Sequence, residues 1–302
     1  MQTDDLSMLR SGTDVSPAAY GLGMEFSPAP IPDPGLLYLE LLKKCLTRDQ
    51  FTTKYRAMVP NRGSVKEAVY RSVSRLLALR ELALVRLVPA DPARRGSYTP
   101  PEAETMVPIA RLDNLQRCVT DVIQCRVPGD LIETGVWRGG ASIFMRAVLR
   151  ACGETGRVVW AADSFMGYPR PDAEHYPADR GSRRWEIAVV DVSLDEVKQN
   201  FARYGLLDEQ VRFLPGWFRD TLPTAPIDRL AVMRLDGVMY ESTMEALTHL
   251  YPKLSVGGYV IVDDYGDNPE CRMAVDHFRA GHKISAELSR TDGCEVYWRR
   301  AE

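Results

Sequence analysis

The apolar positions of this chain follow two patterns, and one gives way to the other near residue 105. Upstream they recur at helical spacing. Leu36-Leu37-Tyr38-Leu39-Glu40-Leu41-Leu42 opens one helix. A second amphipathic stretch, from about Ser64 to Val88, sets Val65, Val69, Leu76 and Leu79 on one stripe. Arg71, Arg75 and Arg80 crowd its other side, which reads as a solvated face. Residues 1–35 show little periodicity and end in a Pro-rich run, Pro28 to Gly35, that cannot hold a helix. An extended or disordered arm is expected there. Residues 89–101 have the composition of a linker.

Downstream the pattern becomes short strands alternating with amphipathic helices. Strands are expected at Asp130–Val136, Arg157–Asp163, Gln210–Pro215, Arg229–Asp236 and Gly258–Asp263. Several are nearly all apolar, as strands buried on both faces must be. Gly140–Cys152 is a helix by Ile143, Phe144, Ala147 and Val148. Ser193-Leu194-Asp195-Glu196 is a capping box opening a helix that Gly205 ends, and Tyr240, Met244, Leu247 and Tyr251 stripe the next. Two final strands, near Lys283–Leu288 and Glu295–Arg299, lie a short turn apart and should pair antiparallel. Alternating β and α elements with short links predict an α/β fold, a doubly wound parallel sheet covered on both faces.

Composition narrows the functional classes. The chain has 302 residues, 45% hydrophobic and 26% charged, so it can bury a large core without disulfides. Its longest apolar runs, such as Gly257 to Val262, fall far short of the ~20 residues that span a bilayer. The net charge of -3, with Lys and Arg scattered among the acids, argues against a nucleic-acid or membrane-surface binder. Six cysteines show no CxxC and no zinc-like spacing, and no basic segment followed by an apolar core marks the N-terminus. Both point to reduced thiols in the cytoplasm.

In doubly wound sheets ligands bind beyond the carboxyl ends of the strands. The first strand ends in Glu133-Thr134-Gly135-Val136-Trp137-Arg138-Gly139-Gly140, a turn that lets backbone amides approach a nucleotide-like ligand and that serves structure equally well. It is neither GxGxxG nor GxxxxGK[ST]. The second ends in Asp163-Ser164, an acid placed for ribose hydroxyls, or for capping a turn. The fourth ends at Asp236 and the fifth at Asp263-Asp264. Three converging carboxylates repel unless a cation joins them, and all-oxygen ligands favour Mg²⁺ or a similar hard ion. Asp263 and Asp264 can share it only if the strand has ended, since adjacent strand residues point apart. One Asp capping a helix beside two solvated ones is the plain alternative. Between Ser164 and Val192 lie 29 residues with no clear regular element, rich in Pro, Arg and aromatics; a loop that long suggests a lid.

The runs ETGVWRGG (133–140), DSFMGYP (163–169), SLDEVKQNFARYGLLDEQVRFLPGWFRDTLP (193–223), LDG (235–237) with YESTMEAL (240–247), YPKLSVGGYVIVDDY (251–265) and VYWRR (296–300) strongly resemble the macrocin O-methyltransferase (TylF-type) family. The resemblance covers about 103–300, plus the helix LLYLELLKKCLTR (36–48). It implies an O-methyltransferase dependent on S-adenosyl-L-methionine (SAM) and Mg²⁺, acting on a hydroxyl of a glycoside, deoxysugar or related polyol in bacterial antibiotic biosynthesis. It also implies the class I methyltransferase (Rossmann-like) seven-stranded sheet of order 3-2-1-4-5-7-6, only strand seven antiparallel, with an N-terminal helical extension.

By the same resemblance, Glu133, Gly135 and Val136 lie along the methionine part of SAM and Asp163 and Ser164 hold the ribose. Gly216, Trp217 and Phe218 border the adenine, while Thr105, Met106 and Arg111 belong to the segment entering the domain, which also approaches the cofactor. Asp236, Asp263 and Asp264 match the metal ligands, with Asp236 serving metal-assisted deprotonation. The chain then divides into an arm (1–35), a helical cap or oligomerisation region with its linker (36–102), and the methyltransferase domain (103–302). A homo-oligomer is implied, and neither nucleic acid nor membrane is a partner.

One departure stands out. The family reads LDGD where this chain has Leu235-Asp236-Gly237-Val238, and AVDDF where it has Ala274-Val275-Asp276-His277-Phe278. The second Asp of LDGD is the natural base, and valine cannot take a proton. Three explanations compete: another group such as His277, His175 or a metal hydroxide accepts the proton; the acceptor hydroxyl is acidic enough to need only the metal; or the protein binds SAM without transferring methyl. His277, on the helix after the fifth strand, is given no catalytic role.

Overall fold

The structure, a computed structural model, describes residues 33–49, 55–57, 65–87, 100 and 102–301. Most of the expected arm and linker lies outside them. Helix α1 (Pro34–Thr47) starts two residues ahead of the apolar run, because a proline in the first turn loses no helical hydrogen bond. Strand β1 (Tyr55–Ala57), helix α2 (Val65–Ala78) and strand β2 (Val85–Leu87) follow. β1 and β2 pair antiparallel, a two-stranded sheet that residues so short and unpatterned did not announce.

The rest is the alternating α/β body. Its elements are α3 (Ile109–Gln124), β3 (Asp130–Thr134), α4 (Gly140–Ala151), β4 (Val159–Asp163), α5 (Leu194–Arg203), β5 (Val211–Pro215), α6 (Phe218–Thr221), β6 (Leu230–Leu235), α7 (Tyr240–Leu250), β7 (Leu254–Val262), α8 (Pro269–Gly281), β8 (Ser289–Arg290) and β9 (Val296–Arg299). The sheet order is β5-β4-β3-β6-β7-β9-β8, which in the seven-strand numbering is 3-2-1-4-5-7-6. Only β9 runs antiparallel to its neighbours. The expected sixth strand at 283–288 is displaced: β8 is two residues, Ser289 and Arg290, set opposite Tyr297 and Val296. Ser193 Oγ accepts from the amide of Glu196 at 3.2 Å, which starts α5 where the capping box placed it.

Two apolar layers cover the sheet, and neighbouring strand residues divide between them. Leu131, Ala161, Val232 and Ile261 pack with α1, α3, α4 and α5, burying Leu42, Leu115, Phe144 and Phe201. Ile132, Trp160, Met233 and Val260 pack with α7 and α8, burying Leu247, Leu250, Val275 and Phe278. The stripe on α2 is different: Val69 and Leu76 on the helix, and Leu79 just past its end, are exposed in this single chain. No helix among the described residues is long and apolar enough to cross a membrane.

Candidate active site

The carboxyl ends of β3, β4, β5 and β6 open on one cavity of about 740 Å³, counting the space at its mouth. Met106, Gly135, Asp163, Ser164, Gly216, Trp217, Phe218 and Asp236 line it, as do Trp137, Tyr168, Arg219, Glu241 and Glu245. Gly135 is where the first turn must have no side chain. Its φ is +86°, and a Cβ would lie 2.1 Å from the carbonyl oxygen of Asp236, so the ends of β3 and β6 touch only through glycine. Gly140, at the start of α4, donates its amide hydrogen to Glu104 O at 2.9 Å, and a Cβ there would lie 2.5 Å from that carbonyl. This contact sets the segment 103–106 on the entrance to α4.

Asp163 ties the first two strand ends together. Its Oδ2 accepts from Val136 N and its Oδ1 from Phe165 N, both at 2.8 Å. Burial pushes its carboxyl up while these amides pull it down. Ser164 Oγ lies 3.4 Å from Oδ1 as a further donor. Ser164 Oγ donates to Gly167 O at 2.7 Å and accepts from Met166 N, so it shapes its own turn at the cavity wall. Thr105, Arg111, Glu133 and Val136 are not part of the lining. Thr105 Oγ1 accepts from Val107 N, and Val136 contributes its amide to Asp163.

Glu133 and Arg111 instead meet the acidic cluster. One ligand oxygen from each of Asp236, Asp263 and Asp264 lies within 4.8 Å of the others. β7 ends at Val262, so both of the following aspartates can turn to one point. Arg234, two residues before Asp236 on β6 and 1% exposed, runs beneath them. Its Nη1 donates to Glu133 Oε1 at 2.6 Å and to Asp236 Oδ2 at 2.8 Å, and its Nη2 donates to Asp263 Oδ1. Arg111 Nη1 reaches Asp263 Oδ2 at 2.8 Å, while its Nε holds Asp292 at 2.6 Å. Glu133 also accepts from Ser142 Oγ, and burial raises its carboxyl to about 7.

Two guanidiniums do not neutralise this many acids. Asp264 accepts from Asn268 Nδ2 at 3.0 Å, but its Oδ2 is buried with no hydrogen-bond partner. Burial and the charge of Asp236 push both Asp263 and Asp264 up. An orphaned carboxylate oxygen beside two further oxygen donors fits a hard divalent cation.

Val238 sits close by in sequence and differs in kind. It is 6% exposed and has φ of +61°, in the left-handed region that a β-branched side chain rarely enters and that Asp or Asn tolerates better. Trp137 (φ +47°) and Phe165 (φ +55°) adopt the same region after β3 and β4.

The segment 164–192 forms three short 3₁₀ turns, at 177–179, 184–186 and 188–190. Trp137 Nε1 donates to Val189 O at 2.8 Å, and Arg184 Nη2 to Asn268 Oδ1 at 2.6 Å. Tyr176 OH donates to Glu245, and Asp179 accepts from the amides of Tyr240 and Glu241 at the start of α7. Reading the sequence alone misses Arg234, Asp179 and Glu241. Arg234 left a signal, since a lone cation inside an otherwise apolar strand must be paired.

Comparison with known proteins places this architecture. The model of the macrocin-O-methyltransferase (TylF) family matches residues 35–300. The chain is 58% identical over 211 residues to the 8-demethyl-8-(2,3-dimethoxy-alpha-L-rhamnosyl)-tetracenomycin-C 4'-O-methyltransferase of Streptomyces olivaceus, covering 70% of this chain and 80% of that one. It is 45% identical over 269 residues to the mycinamicin III 3''-O-methyltransferase of Micromonospora griseorubida, covering 88% of this chain and 96% of that one. The solved structure of the O-methyltransferase NovP superposes with a TM-score of 0.73 at 47% identity, over 89% of this chain and all of NovP.

Proposed function

The chain belongs to the macrocin O-methyltransferase (TylF) family and is an O-methyltransferase, and on that premise we propose that it methylates a sugar hydroxyl of a glycosylated bacterial natural product, using SAM and a divalent metal ion. The observation that carries the metal is the orphaned Asp264 Oδ2 beside Asp236 and Asp263. These three carboxylates hold the ion, Mg²⁺ by ligand type, and Arg234 and Arg111 fix their orientation from behind. A hard ion there lowers the pKa of an alcohol that it binds. SAM supplies a methyl already activated by its sulfonium. The protein's remaining work is alignment and exclusion of water.

Gly135 borders the methionine part, with Glu133, Val136 and Arg111 acting from behind the wall. Asp163 and Ser164 face the ribose, and Gly216, Trp217 and Phe218 the adenine. Met106 closes the entrance, with Thr105 buried behind it. The 164–192 segment covers the acceptor side, and α1 and α2, with Leu37, Leu41, Val69 and Leu76 exposed, are where chains associate. The protein works in the cytoplasm on a small molecule, without nucleic acid or membrane.

Incubation with labelled SAM and the glycosides acted on by its relatives, with Mg²⁺ or with EDTA, tests this reading. Transfer that stops with EDTA and returns with Mg²⁺ is expected. Turnover indifferent to EDTA overturns the metal's role. A second reading has its own observation: Val238 is a buried valine, with no proton-accepting group, at the position where the LDGD pattern of the family would put Asp. On that reading the protein binds SAM without passing its methyl on, and tight S-adenosylhomocysteine binding with no acceptor turned over would favour it.

A further inference from the structure

Four carboxylates line the cavity, and three have evident employment. Asp163 accepts two backbone amides. Glu245 accepts from Tyr176 OH at one oxygen and faces His249 Nε2, 3.1 Å away, at the other. Asp236 belongs to the acidic triad and to Arg234.

Glu241 is the exception. It is 4% exposed, on the first turn of α7. Arg219 Nη1 donates to its Oε1 at 3.1 Å, while its Oε2 is buried with no hydrogen-bond partner. A buried acceptor left unmatched costs free energy, and a ligand donor that reaches it recovers that cost. Arg219 follows Gly216-Trp217-Phe218 directly, so the ion pair ties Glu241 to the wall assigned to the base.

Resting on the reading of this cavity as the SAM site, we propose that the Glu241 carboxylate accepts a hydrogen bond from the exocyclic amino group of the adenine, and that this contact makes the site selective for a 6-aminopurine over a 6-oxopurine. Adenine offers two N–H donors at that edge. Hypoxanthine offers a carbonyl oxygen instead, which a carboxylate repels. The groups acting on Glu241 are Arg219 from α6 and Asp179 and Asp172 from the 164–192 segment. Burial and the two aspartates push its carboxyl up, and Arg219 opposes them by holding the ionised, acceptor-only form. Arg219 also fixes which way the carboxylate plane faces.

Calorimetric titration with S-adenosyl-L-homocysteine and with S-inosyl-L-homocysteine tests this without any methyl acceptor. The protein should bind the adenosyl compound about 10- to 100-fold more tightly, the range expected for one hydrogen bond to a charged group. In Glu241→Gln that preference should shrink to about threefold or invert, because the amide can turn its NH₂ toward the 6-oxo group. Arg219→Met, which leaves the carboxylate but frees it, should lose part of the preference, and it keeps the proposal testable if Glu241→Gln folds poorly. Wild-type preference retained in both variants overturns the role of Glu241 while leaving the SAM site standing. Failure of the unmodified protein to bind either compound overturns the cavity assignment itself, and the proposal with it.

Discussion

Asp179 Oδ2 accepts the amide hydrogen of Glu241 at 2.8 Å across 62 residues of sequence. Its Oδ1 takes the neighbouring amide of Tyr240 at 2.9 Å. A carboxylate from the covering segment therefore caps α7 from outside, meeting both the free N–H groups and the positive end of the helix dipole. Asp179→Ala should cost about 1 kcal/mol, as loss of a helix cap does, and lower Tm by about 2–4 °C. Limited proteolysis should then cut within 164–192 faster. An unchanged cleavage rate would show that other contacts hold the segment.

Arg234 is a guanidinium buried to 1% exposure with three acids to satisfy. Removing one member of such a buried group leaves the others uncompensated, at about 3–5 kcal/mol. Arg234→Met should show that loss in urea unfolding, and adding Glu133→Gln should restore part of it. Additive losses in the double variant would refute the coupling.

Glu133 and Glu295 are both raised to about 7 by burial, against about 4.3 for an unconstrained glutamate. Their folded forms hold protons that the unfolded chain has released. The stability they contribute is complete below pH 4 and is lost as pH rises through 7. Unfolding free energy should therefore fall between about pH 4 and 7 and level off above that. Glu295 accepts from Asn114 Nδ2 and Thr291 Oγ1, and Gln keeps an acceptor for both. Glu295→Gln should flatten the fall by at least about 1 kcal/mol, near one unit of pKa shift. A slope unchanged by that substitution would remove Glu295 from the account.

If the triad holds the ion, a saturating divalent cation stabilises the fold by mass action. At a hundred times Kd the gain is about 2.7 kcal/mol, several degrees in Tm. Thermal melts with Mg²⁺ or Mn²⁺ should show that rise in the native protein and none in Asp264→Asn or Asp236→Asn. Equal rises in all three would place the ion elsewhere.

Val238→Asp puts a carboxylate two residues beyond Asp236, in a backbone conformation that suits Asp better than Val. If the native acceptor needs only the metal, this variant should gain about 10²–10⁴-fold on ordinary sugar hydroxyls, the range of a general base. Product formation with the relatives' glycosides measures it. No gain would show that a base is present already, or that transfer is absent.

The carboxyl ends of β3, β4, β6 and β7 were legible to within two residues because apolar runs there close on glycine or aspartate. The sheet order came from the family resemblance, and β7 starts four residues before the expected Gly258. Aspartates at the ends of two strands suggested that Asp236, Asp263 and Asp264 meet, with a helix cap beside two solvated acids as the alternative, and their oxygens do lie within 4.8 Å of one another. Arg234 escaped because one charge in an apolar strand does not disturb the pattern, although it pairs with Glu133, Asp236 and Asp263. The 3₁₀ turns of 164–192 have no periodicity to read, and their anchors, Tyr176 and Asp179, pair with residues more than sixty positions away. β8 was misplaced because two residues fixed only by pairing with β9 carry no signal of their own.

The ion pairs of Arg234 span three adjacent strands, from Glu133 at the end of β3 through β6 to Asp263 just beyond β7. A slip of one residue in β6 would turn Arg234 to the other face of the sheet. The acidic cluster thus exists only in the fully registered sheet and cannot persist in a loosened one. Any substitution that shifts the register of β6 therefore removes the acidic cluster as a unit, whereas substitutions in the 164–192 segment leave it in place.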